Sequence, residues 1–249
     1  LKPVVVTNNL SHIIYYKYVG ISPSEISDIW NENLKRANLS KPKLLYMGRI
    51  KKEKGIFSLI KLIKDLDIDY DLSIVGDQKK LNLENDKIKV FNETSNRKKI
   101  INFYDQNNIF ILPSFTEGSP KVILESLSRL RPVIVFREIK HVKSKFKGVF
   151  ITDRNTKDLK KTIIYILKNY KKIQLEMKNN KIPTKEQFQK NLIKIVKWIV
   201  KLKKINNLNS SSFLIISLGL IIHLFPLLPS GNFFNNWISS FIYFKIGLL

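Results

Sequence analysis

Cysteine is absent from the chain, which removes disulfides, thiolate zinc sites and a cysteine nucleophile from consideration. Histidine is nearly absent: His12, His141 and His223 stand far apart, without the spacing of a metal site. Acidic residues are few, 20 against 44 basic ones, so the formal net charge is +24. Arginine is scarce within the basic set, 7 residues against 37 lysines. The charge fits a solvated Lys-rich surface or attraction to an anionic membrane surface. No recognised nucleic-acid motif accompanies it, so nucleic acid is not expected as a partner. What remains is a globular mixture, 44% hydrophobic and 26% charged over 249 residues, enough for one large domain or two small ones.

The stretch Leu1–Leu10 does not read as a signal peptide, lacking a basic region followed by an apolar core. Leu1 is not Met, and Ile246–Leu249 stops inside an apolar run, so the chain reads as a piece of something longer.

Along the chain, Val4–Val6 reads as a buried strand and residues 22–40 as a helix or two near a linker. An alternation then sets in. Strands are expected at Leu44–Met47, Leu72–Val75, Ile88–Phe91, Ile109–Leu112, Val133–Phe136 and Val149–Ile151. Helices are expected at 56–66, Arg97–Tyr104, Pro120–Leu130 and Thr156–Asn169. Alternating strands and helices imply parallel pairing with right-handed crossovers. Near-continuous apolar strands imply helices on both faces. The fold class is therefore α/β, a Rossmann-like doubly wound parallel sheet over 43–180, with ligands expected outside the carboxyl ends of the strands. Residues 181–204 read as a basic amphipathic helix, with Phe188, Leu192, Ile195, Val196 and Ile199 on one stripe. From Ile205 to Phe244 there is no Asp, Glu, Lys or Arg, and 205–249 reads as an apolar, membrane-inserted helical tail. The alternative for the tail is an amphipathic or misfolded end of a cut chain.

Two turns carry chemistry. Gly48–Gly55 follows the first strand of the alternation and reads G-R-x4-K-G. Gly48 allows close backbone approach, while Arg49 and Lys54 supply fixed cations at the carboxyl edge, suited to a diphosphate. Pro113–Glu125 follows the strand Ile109–Leu112. Ser119 is a good N-cap and Pro120 fits the first helical position, so the amides of Gly118, Ser119 and the first turn form an anion site. Glu117 precedes the cap, where it can accept hydrogen bonds from sugar hydroxyls. Glu125 lies roughly 9 Å along the helix and would meet another part of an extended ligand.

The strand–GRxxxxKG turn, the Ile74–Asp77 strand end and the P-S-x-x-E-G-x-P-x4-E run together resemble family 4 glycosyltransferases of the GT-B fold. Glu117 and Glu125 match that family's E-x7-E motif, and Arg131–Val135 is similar to its G-x-P-V-I strand, with Arg where Gly is usual. The resemblance implies one half of a GT-B fold and a retaining, hexosyltransferase-type transfer (EC 2.4) from a nucleotide diphosphate donor. It implies that Arg49 and Lys54 bind the diphosphate and Glu117 the donor sugar. Gly118, Ser119, Pro120 and Lys121 would form the sugar-phosphate end, Glu125 would contact the ribose, and Phe91 and Asn92 would lie by the nucleobase. Where the family has a Gly-rich turn after this strand, Phe136–His141 stands instead. The acceptor-binding half would precede residue 1, leaving residues 1–42 as its remnant and linker. The fragment alone would then transfer nothing.

Asp65–Asp71 contains several D-x-D patterns, but it precedes a strand and so lies at the edge away from the ligand crevice; it reads as a solvated acidic turn, and no metal site or cofactor is expected. Residues 224–237 weakly resemble a membrane segment of O-antigen polymerase-type proteins. The expected setting is surface polysaccharide synthesis at the cytoplasmic face of the inner membrane. The donor would be a nucleotide sugar, and the acceptor a glycan or lipid-linked molecule. A non-catalytic, membrane-tethered binding or assembly module on the same fold remains open.

Overall fold

The structure is a computed structural model that describes residues 4–6, 19–21, 26, 30, 32–81, 83, 86–118, 120–143, 146–187, 190 and 193. The chain divides into two compact units, Leu1–Asn191 and Leu192–Leu249, and only Ile193 of the second is among the described residues.

Strands β1 (Val4–Val6) and β2 (Val19–Ile21) pair in parallel as a small sheet. The main sheet has six strands: β3 (Lys43–Met47), β4 (Asp71–Gly76), β5 (Ile88–Asn92), β6 (Ile109–Leu112), β7 (Val133–Phe136) and β8 (Val149–Thr152). Their order is β5-β4-β3-β6-β7-β8, and every neighbouring pair is parallel. This is the doubly wound, Rossmann-like sheet that the alternation implies. The central strands β6 and β7 are buried at every position, so only side chains that pack on both faces fit there. Edge strand β5 is largely exposed.

The helices are α1 (Ile56–Lys64), α2 (Arg97–Gln106), α3 (Lys121–Ser128), α4 (Thr156–Lys168) and α5 (Tyr170–Met177). In α1, Ile56, Leu59, Ile60 and Ile63 form one buried stripe at helical spacing. Asn96 caps α2 by accepting from the Lys99 amide at 3.2 Å, and Asn155 caps α4 by accepting from the Asp158 amide at 2.8 Å. Pro120 is not the first helical residue; it is extended (φ −72°, ψ 112°), and α3 begins at Lys121. Residues 185–187, 190 and 193 are helical. Among the described residues no helix is long and apolar enough to cross a membrane; the apolar tail 205–249, O-antigen-like segment included, lies outside them.

The helical reading of residues 22–40 is corrected over 32–40, where no helix forms. The backbone carbonyls there are committed elsewhere. Arg129 donates to Trp30 O (2.6 Å), Glu32 O (2.8 Å) and Asn33 O (3.1 Å), and Arg131 donates to Lys35 O (2.8 Å). Asn108 donates to Asn38 O and Lys41 O and accepts from the Lys43 amide. Both guanidiniums are only 2% exposed, and Asp105 receives Arg129 in a two-pronged contact at 3.0 and 2.8 Å. Burial holds the Arg131 guanidinium below its ordinary value, with Asp105 partly offsetting it. The remaining donors of Arg131 satisfy the carbonyls of Tyr104, Asn107 and Arg129.

Candidate functional site

Strand order reverses between β3 and β6: the chain winds outward from β3 through β4 to β5, then returns to β6 and winds the other way. The crevice of a doubly wound sheet opens at that reversal, beyond the strands' carboxyl ends. Two segments emerge there, Gly48–Gly55 after β3 and Pro113–Gly118 after β6.

Backbone contacts lock these segments together. The Gly48 amide donates to Val75 O at 3.0 Å, and a Cβ on Gly76 would lie 2.6 Å from Gly48 O, so only glycine fits beside that turn. Gly55 is left-handed (φ 69°), and a Cβ there would lie 1.9 Å from Pro113 O. The Phe115 amide donates to Glu53 O at 3.0 Å. The two glycines thus let separate loops touch through their main chains.

This closeness brings Lys54 and Glu117 together. Lys54 ends a 3-10 turn, Lys52–Lys54, and its Nζ donates to Glu117 Oε1 at 2.7 Å. The side chains are 20% and 11% exposed, which shields the pair more than an ordinary surface contact. Ser114 Oγ donates to the same carboxylate oxygen at 2.6 Å. Arg49 is exposed, and its carbonyl accepts from the Tyr46 hydroxyl at 2.7 Å. Burial raises the Tyr46 phenol far above its ordinary value; the nearby Glu117 carboxylate adds to this and the Arg49 guanidinium opposes it. Gly118 is exposed, and a Cβ there would meet nothing within 4 Å, so the chain can be approached closely at this point. Ser119 lies outside the described residues. Lys121, exposed, opens α3, with the half-buried Pro120 before it.

Glu125 is not part of the Lys54–Glu117 contact. Its Oε2 accepts from the Tyr104 hydroxyl at 2.8 Å. Burial, and then the Glu125 charge, push that phenol well above its ordinary value, so it stays a donor. Phe91 and Asn92 end β5, two strands from β3. Phe91 is partly exposed and packs on Phe103 with ring centroids 5.1 Å apart. The acidic turn lies at the amino edge, where Lys41 Nζ pairs with Asp71 (2.7 Å) and Asp69 (3.5 Å), and Lys160 pairs with Asp67 (3.3 Å).

Several participants carry no role in the sequence reading. Ser114, inside the P-S-x-x-E run but given no role there, and Tyr104 orient the two glutamates. Arg154 donates to Pro113 O at 2.9 Å, and His141 Nε2 meets Glu117 O at 2.8 Å. Arg154 carried a signal: it is one of seven arginines and lies just after a strand, at the carboxyl edge. Tyr104 carried none, being one aromatic in an ordinary helical stripe.

Known proteins share this fold. The sequence profile of the family described as Glycosyl transferases group 1 matches residues 31–183, more than half of the chain. A Bacillus subtilis (strain 168) protein, named as a teichuronic acid biosynthesis glycosyltransferase, TuaC, is 31% identical over 90 residues, 36% of this chain and 23% of that protein. The chain therefore spans well under two thirds of that relative. A solved glycosyltransferase of Rickettsia africae superposes with a TM-score of 0.59 at 20% identity, over 80% of this chain and 64% of its own. Anabaena Alr3699/HepE, solved with UDP-glucose, superposes with a TM-score of 0.57 at 13% identity, over 78% of this chain and 63% of its own. These neighbours share the fold, a Rossmann-like GT-B half. With the matched profile running from the arginine-held linker through the last helix of the sheet domain, the chain belongs to the glycosyl transferases group 1 family.

Proposed function

We propose that the chain is the donor-binding half of a retaining glycosyltransferase, which moves a sugar from a nucleotide diphosphate donor to a glycan or lipid-linked acceptor. The observation that carries this reading is the Lys54–Glu117 contact across the reversal in strand order, between two loops 63 residues apart. It sets a cation and a carboxylate side by side where a diphosphate-linked sugar needs both.

In this reading the diphosphate takes its neutralising charge from Arg49 and Lys54 rather than from a metal ion, and no cofactor takes part. Phosphate oxygens compete with Glu117 for the Lys54 ammonium. The displaced Glu117, still held by Ser114, accepts from sugar hydroxyls. Amides at Gly118, Ser119 and the opening of α3, with Pro120 setting its direction and Lys121 adding charge, meet the sugar-phosphate end. Glu125, oriented by Tyr104, accepts from the ribose, and Phe91 and Asn92 flank the nucleobase. Negative charge grows on the diphosphate as the glycosidic bond breaks, so cations fixed there act most strongly on the transition state. The name of the Bacillus relative supports a role in surface polysaccharide synthesis, and the UDP-glucose complex of the Anabaena neighbour supports a nucleotide-sugar donor. The Lys-rich segment 190–204 and the apolar tail would hold the protein on anionic lipid at the cytoplasmic face of the inner membrane.

Calorimetry of the chain with UDP, GDP, ADP and CDP tests the reading. Binding to at least one of them, weakened by Glu125→Ala, is expected. In an enzyme containing both halves, Arg49→Ala or Lys54→Ala should lower turnover by about 10²–10³-fold, roughly 2.7–4 kcal/mol. Absence of binding to every nucleotide would favour the non-catalytic, membrane-tethered module.

A further inference from the structure

The segment Arg137–Lys143 is a kinked 3-10 turn after β7, where the family resemblance leads one to expect a Gly-rich turn. It grips the Pro113–Gly118 loop at two points. At one end, His141 Nε2 lies 2.8 Å from Glu117 O. A carbonyl only accepts, so this nitrogen carries the proton. At the other end the grip runs through Arg154, which follows β8. Glu138 Oε1 accepts from Arg154 Nε at 2.6 Å, while Arg154 Nη2 donates to Pro113 O at 2.9 Å and Nη1 to Ser58 Oγ at 3.4 Å.

The rings of Phe115 and Phe136 lie 4.1 and 4.3 Å from the guanidinium carbon, and the Arg154 side chain is only 15% exposed. A guanidinium with three polar partners and two aromatic contacts is fixed in place. Its charge is matched by Glu138 and its donors are directed at protein atoms, so it shapes the site instead of binding a phosphate itself. Both anchors fall on the loop that presents Glu117, one at its first residue and one at Glu117 itself.

We propose that Arg154 and His141 are positioning residues that brace the Pro113–Gly118 loop, so that the Glu117 carboxylate is aimed at the sugar end of the donor. This rests on the glycosyltransferase reading of the site. It assigns the segment after β7 to holding the loop, and it ties discrimination between a nucleotide sugar and its bare diphosphate to two residues that touch neither.

The test uses the 249-residue chain as wild type, His141→Ala, His141→Gln and Arg154→Met, with two readouts. The first is amide hydrogen exchange over residues 114–118, the part of the loop that carries amide protons. The second is calorimetric affinity for UDP-glucose and for UDP. His141→Ala and Arg154→Met are expected to speed exchange in the loop at least tenfold. They should weaken UDP-glucose at least tenfold while UDP stays within about threefold. His141→Gln, whose amide can still donate to Glu117 O, should restore both. His141 is exposed, so its variants should fold even if Arg154→Met does not. Unchanged exchange overturns the proposal, and so does equal weakening of UDP and UDP-glucose. If wild type binds and Lys54→Ala abolishes binding, but His141→Ala leaves the discrimination intact, the brace alone falls. If wild type binds none of UDP, GDP, ADP and CDP, the reading of the site falls and the brace with it.

Discussion

Lys54 and Glu117 form a half-shielded ion pair whose worth depends on what else reaches it. Each alone is ordinary: lysine is abundant here, and a carboxylate before a helix is common. Together they make an exchangeable contact, because a phosphate can replace the carboxylate at Lys54 and a sugar hydroxyl can replace the ammonium at Glu117. Glu138 shows the same chemistry in a supporting role. The hydrogen bond from Arg154 holds its carboxyl below the ordinary value of 4.5. A carboxylate with a lowered folded-state value contributes stability that is fully present above the unfolded value and lost as pH falls through the folded one. Urea denaturation of wild type and Glu138→Gln should therefore differ most near neutrality, with the gap closing as pH drops below about 4.5. A gap that widens toward acid would mean that Glu138 does not pair with Arg154 as its charged form.

Among the elements, the loop-to-loop contact depends on Gly55. Its left-handed backbone and the closeness of Pro113 O leave no room for a side chain. Gly55→Ala should cost at least about 1–3 kcal/mol in urea unfolding, from backbone strain alone. It should also weaken nucleotide binding, because the two loops must separate. An unchanged unfolding midpoint would show that the loops are not in contact.

The elements also show what a linear reading can reach. Strands β3, β6 and β7 are legible because burial on both faces demands unbroken apolar runs. Helix α1 is legible from its stripe. Helix α5 is not, since it begins directly after Asn169 closes α4 and continues the same mixed pattern. The linker over 32–40 is misread as helix because the groups that claim its carbonyls, Arg129 and Arg131, lie about a hundred residues away. The site divides similarly. Both loops are marked by local motifs and by their place after strands. The pairing of Lys54 with Glu117, and the brace through Arg154 and His141, depend on which strands become neighbours, which no local window records.

At the scale of the whole molecule, opposite edges of the sheet do different work. The amino edge carries stability. There the buried Asp105–Arg129–Arg131 cluster fastens the linker to the sheet domain, and Asp105 is the only carboxylate bonded to the two guanidiniums among the described residues. Removing one partner of a buried pair leaves the other charge uncompensated. Asp105→Asn should thus destabilise by about 3–5 kcal/mol in urea unfolding, whereas Asp67→Asn, whose carboxylate is fully exposed in its contact with Lys160, should give no resolvable change. Equal effects would show that burial does not set the energetics of these pairs. In the proposed reading the carboxyl edge carries the ligand chemistry, centred on Lys54, which Glu117 holds in place.

That division is tested most directly by locating a bound diphosphate. A crystal structure of the chain with UDP should show the diphosphate at the carboxyl edge, within hydrogen-bond reach of Lys54 Nζ and the Arg49 guanidinium and against the opening of α3. Lys54 should have turned from Glu117 toward a phosphate oxygen. A diphosphate bound among the lysines of the amino edge, or a Lys54–Glu117 contact left intact beside it, would contradict the account.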